Sequence, residues 1–495
     1  MKLKGIQGII VAAALLIGGY VAVRHMERAV TDAVRETARS MEAFCTVGEV
    51  RFSLWNKRLA LTDLRLRDGG AVFEAKRLEL VIPLELIFDT PEGVTELATE
   101  AIFHDAVITS PDRRETIREM RINRLRADPA RLVWLLRDKS TDGERFLTLL
   151  TNVGYAREQS GDVRMDVAAS DDLPAYTLLI KRTGSAGYDK GSYDSLELSD
   201  LRILRQNAEV AALDSLNIAG IHCPSLPTLK VLLGMSAAPD GPEALGMLQE
   251  LFAGPQPLLE QLRLRNLVLT TPELPLRVAE LALDWPSSRS SRHALRLRDF
   301  SLATAAIVKD VPGLRLPGLE TLRLNVDDTT AHENEGRSRE TLSLDLQDVV
   351  SLRLDLVLQD APSREGGDPL LDLYMTRVVE VDLTIRDTRL LAYAGGNTVP
   401  PGVNAAEALE AAVARFFGTV FGGQARDLAR EQLAAFVRRP GTLHIRFAPE
   451  APVDVLELGS GMADMASALT VTATPGPTPL EQQIRDLFDT PETPR

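Results

Sequence analysis

Apolar and polar residues alternate along most of the chain, in short runs that recur as an octet of the form L-x-L-x-[DN]-[LF]-x-[LI]. Alternation with a period of two indicates strands that have one face toward a core and one toward water. We therefore predict a mainly β fold with helices, of the α+β class. The octet occurs at Leu59–Leu66, Leu196–Ile203, Leu262–Leu269 and Leu295–Leu302, with weaker copies at Ala101–Ile108 and Leu383–Leu390.

Each octet changes parity at its Asp or Asn. In the first copy Leu59 and Leu61 share one parity, whereas Leu64 and Leu66 share the other. A regular strand would send half of these leucines to the opposite face, but one extra residue, held as a β-bulge or a tight kink, returns them to one side. Asp and Asn tolerate the backbone angles that such a position needs. The candidate bulge positions are Asp63, Asp200, Asn266, Asp299 and Asp387.

Bulges twist and bend a sheet, so the octets predict a long, curved antiparallel sheet with one apolar face and packed helices. The same leucines would line either an open groove or a core filled by the protein's own helices, and the sequence leaves both readings open. The candidate apolar groove consists of Leu59, Leu61, Leu64, Leu66, Leu196, Leu198, Leu201, Ile203, Leu262, Leu264, Leu267, Leu269, Leu295, Leu297, Phe300 and Leu302.

Residues 5–23 carry no charge, and as a helix they would span about 28 Å, close to the hydrocarbon thickness of a bilayer. We expect a retained transmembrane helix; a cleaved signal peptide is the alternative, although its apolar stretch is usually about 7–15 residues long. Flanking basic residues are nearly balanced, but the short basic region before the apolar run favours an extracytoplasmic body. The anchor residues are Ile9, Ile10, Val11, Leu15, Leu16, Ile17 and Tyr20.

Composition shifts divide the chain further. We predict an anchor over residues 1–25, a helical connector over 26–44, a first β-rich region over 45–240 and a second over 241–400. A helical segment with a closing strand follows over 401–458. The Pro- and Thr-rich residues 459–495 predict a disordered tail.

The net charge of −14 argues against nucleic acid, which requires a positive surface to displace counterions. Cys45 and Cys223 are too few for a disulfide framework; they would pair in an oxidising compartment or remain free thiols. The pair His332-Glu333 opens like H-E-x-x-H, but residue 336 is Gly, so the second zinc ligand is missing. We therefore expect no catalytic residues, no metal and no cofactor.

An N-terminal apolar helix followed by strands of the form φ-x-φ-x-D-L-x-L resembles the AsmA-like proteins of Gram-negative envelopes. The resemblance is clearest in residues 47–87 and returns at the later octets. It implies an inner-membrane anchor, a periplasmic body and a curled β-groove that shields lipid acyl chains.

Three hypotheses follow from these patterns. The first is an anchored envelope protein that binds or transfers phospholipid or another lipid, or supports envelope assembly, through an apolar groove. The second is a scaffold that binds other envelope proteins through sheet edges or its acidic surface. The third is an envelope enzyme with a dispersed site.

Overall fold

A computed structural model of the chain describes residues 23–40, 45–68, 70–88, 93–128, 152–170, 174–223, 259–271, 275–285, 293–311, 313–333, 336–359, 376–400, 402–454 and 468–489. The described residues fall into two compact units, Met1–Leu259 (unit 1) and Glu260–Arg495 (unit 2). The boundary therefore follows residue 259 rather than residue 240, where the change of β-rich region was predicted. Each unit is dominated by antiparallel strands, which confirms the prediction of a mainly β fold with helices.

In unit 1, helix α1 is described over residues 23–40. The predicted connector lies on this helix as far as residue 40. Helix α2 (Glu85–Phe88) follows the fourth strand. Strands β3 to β10 pair antiparallel in chain order, and both β1 and β2 pair with β3. The strands are β1 (Cys45–Thr46), β2 (Val50–Ser53), β3 (Arg58–Asp68), β4 (Ala71–Val81), β5 (Thr95–Thr109), β6 (Arg113–Ala127), β7 (Val153–Val167), β8 (Tyr176–Asp189), β9 (Tyr193–Arg205) and β10 (Ala208–Ile221).

The core of unit 1 lies where α1 covers the apolar face of the first strands. Val30 and Val34 of α1 pack against a buried cluster that includes Leu61, Leu78 and Ile117. These residues come from β3, β4 and β6, so the cluster ties several strands to one helix. Burial of this kind stabilises by about 25 cal/mol per Å² of apolar surface removed from water.

Unit 2 continues the same plan. Strands β11 to β18 pair antiparallel in chain order, β20 pairs with β18, and β19 pairs with β17. They are β11 (Gln261–Thr270), β12 (Pro275–Asp284), β13 (His293–Ala303), β14 (Thr321–Glu333), β15 (Arg337–Leu346), β16 (Val350–Gln359), β17 (Arg377–Asp387), β18 (Thr442–Phe447), β19 (Val453–Asp454) and β20 (Leu469–Thr474). The helices of this unit are α3 (Thr304–Asp310), α4 (Leu390–Thr398), α5 (Ala405–Phe421), α6 (Gly423–Arg438) and α7 (Leu480–Phe488).

Helices α4 to α7 cover the last strands of unit 2. Leu433 and Val437 of α6 are buried with Leu443 and Phe447 of β18 in one cluster. The Asn404 side chain caps α5 by accepting a hydrogen bond from the Glu407 amide, which satisfies one of the free amides at a helix start. Gly422, which has a φ of 87°, separates α5 from α6.

The prediction of a disordered tail over residues 459–495 is wrong for residues 468–489. The run Leu469–Thr474 alternates Leu, Val and Ala with Thr, and it forms β20 against β18. Leu480 at the start of α7 is fully buried in the helix-covered core. Pro and Thr content was a poor guide here because the alternation supplies one apolar face that the neighbouring helices bury.

Among the described residues, none of the helices is both long and apolar enough to cross a membrane. The predicted anchor residues, Ile9 to Tyr20, lie outside the described part of the chain.

Candidate functional site: the apolar face and its kink row

The candidate groove residues of unit 1 lie on one face of the sheet, in rows that cross the strands. One row pairs Leu64 with Ala75, and its register continues through Ile117, Val163, Ile180 and Leu201 to the last strand. Both halves of each octet therefore reach the same face, as the parity argument predicted. In this row the apolar residues run without interruption from β3 to β10.

The change of parity takes place along one line of residues, which we call the kink row. The row consists of Asp63, Lys76, Asp105, Arg118, Asp162, Lys181, Asp200 and Asp214, one from each of β3 to β10. The four acids on β3, β5, β7 and β9 have left-handed φ angles of 50°, 48°, 51° and 54°. Asp is among the few non-glycine residues that adopt this conformation readily.

The pairing register at Asp63 is that of a tight kink rather than a β-bulge. Thr62 pairs with Arg77 and Leu64 pairs with Ala75, so Asp63 simply faces Lys76 and the register is unchanged on both sides. A bulge adds a residue to one strand only. Here every strand from β3 to β10 carries its own additional residue at the same level, and therefore the pairing stays in step across the sheet.

Acids and bases alternate along the kink row from β3 to β9, and several neighbours form ion pairs. Lys76 Nζ lies 3.4 Å from Asp105 Oδ2, and Arg118 Nη1 lies 3.1 Å from Asp162 Oδ2. Lys181 Nζ lies 3.5 Å from the carboxylate of Asp200. These side chains are largely exposed, so each pair contributes little to stability. They place opposite charges side by side along the kink row, where the ladder of paired residues is interrupted.

A cleft of about 660 Å³ follows the first half of the kink row. It is lined by charged side chains of the row and their polar neighbours, and also by apolar-face residues, namely Leu64, Ala75, Ala106 and Ile117. The cleft is therefore open and mixed in character, because charged and apolar residues share its lining.

A second kink line crosses unit 1 nearer the other end of the later strands. Arg124, Gly187 and Gly220, on β6, β8 and β10, have φ angles of 53°, 63° and 60°. Gly187 faces Asp194 on β9, and a Cβ at Gly187 would overlap the Asp194 carboxylate. The octet pattern does not extend to this line, because Arg124, Gly187 and Gly220 stand where the octet has Asp or Asn.

In unit 2 the predicted positions Asn266 and Asp299 also have left-handed φ angles, 52° and 45°. Asn266 keeps the register between β11 and β12. Asp299 sits in a true bulge, because the register between β13 and β14 shifts by one between Leu297 and Phe300. Its amide donates to the side chain of Asn325 at 2.8 Å. The kinks of unit 2 thus stop at β14, which alternates without interruption.

Asp387 is not a kink position, and the prediction for it is wrong. It ends β17 with its side chain 5% exposed, and Oδ2 accepts the Leu391 amide at 3.0 Å. The carboxyl therefore serves the free amides at the start of α4. Burial raises the pKa of Asp387 to about 6, although hydrogen bonds from the amides of Leu391 and Leu390 oppose that shift.

Burial separates the candidate groove residues into two groups. Leu59, Leu61 and Leu64 are 5–8% exposed and belong to the packed core under α1, so they do not line an open groove. The remaining thirteen, on β3, β9, β11 and β13, are half-buried. The candidate ligand-facing leucines are therefore those of β9 in unit 1 and of β11 and β13 in unit 2.

A polar cluster interrupts the apolar face on β7 to β9. The Tyr155 hydroxyl is 2.8 Å from Ser185 Oγ, and Ser185 Oγ donates to Glu158 at 3.2 Å. Tyr188 stacks between Tyr155 and Tyr193, with ring centroids 5.0 and 4.7 Å away. Burial raises the pKa of Tyr188 to about 12 and that of Tyr155 further, so both stay protonated as hydrogen-bond donors. The cluster is internally bonded, and sequence reasoning missed it.

Metal and nucleophile chemistry finds little support in the described residues. They contain no group of three or more His, Cys, Asp or Glu side chains placed to hold a metal ion. Cys45 and Cys223 are free thiols, and burial raises the pKa of Cys45, which disfavours the reactive thiolate.

A family model described only as an uncharacterized protein matches residues 343–475. The match begins within β15 and ends after β20, so it covers the helix-covered end of unit 2 and leaves out β11 and β13. No curated protein matches the chain.

Proposed function

We propose that the chain is a membrane-anchored, AsmA-like envelope protein that holds lipid acyl chains against its half-buried apolar strand faces. The observation that carries this proposal is that the leucines of an octet share one face on both sides of the kink, with residues such as Leu198 and Leu264 half-buried rather than packed in a core. The task it serves is lipid binding or transfer, or support of envelope assembly, rather than covalent chemistry.

The spacing of the face suits an extended acyl chain. Neighbouring strands lie about 4.8 Å apart, and same-face residues along a strand lie about 6.6 Å apart. On β9 four such positions, Leu196, Leu198, Leu201 and Ile203, fall on one face across the kink at Asp200. Because each buried methylene contributes about 0.8 kcal/mol, half-exposed leucines in such rows offer a chain of a dozen carbons substantial binding energy.

The anchor and the side of the membrane belong to the same proposal. The apolar residues 5–23 would cross the inner membrane once, and the body would lie in the periplasm. Such a tether would keep the apolar faces near a supply of phospholipid. Any envelope proteins that bind this body would lie in the periplasm as well.

Site-specific photocrosslinking in cells tests the proposal. A photoreactive amino acid at Leu198 or Leu264 should capture lipid, identified by mass spectrometry of the purified adduct. Glu197 and Arg265 are matched controls, because each is the adjacent residue on the opposite, exposed face of the same strand. They should give no lipid adduct.

Equal lipid labelling at both faces, or none at Leu198 and Leu264, would refute the acyl-binding role. Protein adducts without lipid at the leucine positions would favour the scaffold hypothesis instead.

A further inference from the structure

The exposed large hydrophobic side chains of unit 1, among its described residues, gather at one end of the sheet. They are Trp55, Leu84 and Val94, with 76%, 38% and 60% of their surface exposed. Trp55 lies in the turn between β2 and β3, Leu84 follows β4, and Val94 precedes β5. The first two loops adjoin, because the Ile82 amide donates to the Lys57 carbonyl at 2.8 Å. We call these three residues and their loops the Trp55 edge.

The first described turn of helix α1 lies at the Trp55 edge, and the helix runs away from that edge. The Leu54 amide donates to Glu27 Oε1 at 2.9 Å, and Glu27 is only 8% exposed. Farther along the helix, Arg35 donates to the Val50 carbonyl at 3.5 Å. Beyond the helix, Cys45 pairs with Leu66 near the far end of β3. The helix therefore lies along β2 and β3, with its first described turn at the Trp55 edge.

The sequence that precedes α1 indicates which surface the Trp55 edge faces. The uncharged run ends at residue 23, four residues or about 6 Å of helix before Glu27. Arg24, Arg28 and Lys57 are exposed at the same end. Tryptophan prefers the interface between lipid and water, and basic residues are attracted to anionic headgroups.

We propose that the Trp55 edge docks on the interfacial region of the bilayer leaflet that adjoins the N-terminal anchor. The proposal rests on the anchor given under the proposed function. It fixes the orientation of unit 1, because the strands β2 and β3 then point away from the membrane with Trp55 inserted among the headgroups.

Quenching of tryptophan emission by brominated lipid tests this contact. The full chain with Trp134→Phe and Trp285→Phe, so that Trp55 is the remaining tryptophan, is reconstituted in phosphatidylethanolamine and phosphatidylglycerol vesicles. In the matched control, Trp55→Phe is added and Arg67→Trp places the fluorophore on β3 nine residues from Arg58, up to about 30 Å away. Brominated chains should lower Trp55 emission about twofold, as expected for an interfacial ring, and leave the control unchanged.

Alkaline carbonate extraction of the same vesicles separates the two possible failures. If the protein resists extraction but Trp55 is quenched no more than the Arg67→Trp control, the docking proposal is wrong and the anchor stands. If carbonate strips the protein from the vesicles, the proposed anchor fails and the docking proposal fails with it. Quenching confined to Trp55 in an extraction-resistant protein supports both.

Discussion

The left-handed backbone at the kink row makes a prediction about Asp200. Its φ is 54°, and its side chain is exposed with ion pairs to Lys181 at 3.5 Å and Arg202 at 3.8 Å. Asp200→Val places a β-branched residue where L-residues cost about 1–2 kcal/mol. Losing exposed ion pairs adds at most about 1 kcal/mol. We expect the local free energy of opening around β9 to fall by about 2 kcal/mol.

Hydrogen–deuterium exchange measured on peptides that cover β9 and β10 checks this value. A loss of about 2 kcal/mol corresponds to roughly 30-fold faster exchange of the protected amides. Asp200→Asn removes the charge but keeps a side chain that tolerates the left-handed conformation, so it should change exchange by only a few-fold. Glu197→Val, at an exposed position of β9 outside the positive-φ residues, should be neutral or slower, since Val favours strands.

Equal amide exchange rates in Asp200→Val and Glu197→Val would refute the cost assigned to the left-handed backbone at Asp200. That cost is also refuted if Asp200→Asn is as damaging as Asp200→Val, because the charge rather than the backbone would then be decisive.

Two further substitutions test other features of the structure. Because the pKa of Asp387 is raised to about 6, the stability that this group contributes is present below pH 4 and is lost as the pH rises through 6, by up to about 3 kcal/mol. Asp387→Asn keeps an oxygen that accepts a hydrogen bond from the Leu391 amide. The unfolding temperature of the helix-covered end at pH 8 should therefore rise, and most of its difference from the value at pH 5 should disappear. An unchanged pH dependence would contradict this. Gly187→Ala should speed exchange in β8 and β9 about tenfold or more, because its φ of 63° and the Asp194 carboxylate both oppose a Cβ. Gly184→Ala, on the same strand without either obstacle, is its control, and equal effects of the two would count against the second kink line.

The sequence predicts the kinks well where the leucines are dense, and poorly elsewhere. The parity switch identifies Asp63, Asp200, Asn266 and Asp299 because apolar residues flank each of them at a spacing of three. Asp162 sits between Gly161 and Val163, where the flanking pattern has no leucine to reveal it. In-register kinks in neighbouring strands also cannot be distinguished from bulges in a single strand, because that difference depends on long-range pairing.

At the end of the chain, Pro and Thr content predicts disorder where the structure has a strand and a helix. Pro and Thr are common both in disordered segments and in edge strands followed by helices. Leu469–Thr474 forms a strand because β18 offers a partner, and Leu480 is buried because α4 to α6 form a pocket for it. Neither condition is visible in the local sequence. The prediction for Asp387 is wrong for the same reason, because its side chain accepts a hydrogen bond from the start of α4.

Within the described strands of unit 2, the left-handed kinks fall near its start. Strands β11 and β13 carry left-handed kinks, and their leucines are half-buried. Strand β14 alternates without a kink, and the bulge at Asp299 is the register step between the two kinds of strand. Beyond it, β17 and β18 are covered by α4 to α6, although β17 itself has a register shift against β16. A kink alone does not keep a helix away, because Leu61 and Leu64, on either side of Asp63, are buried under α1. The change of parity therefore keeps the leucines of an octet on one face, and whether a helix covers that face is decided by residues elsewhere in the chain.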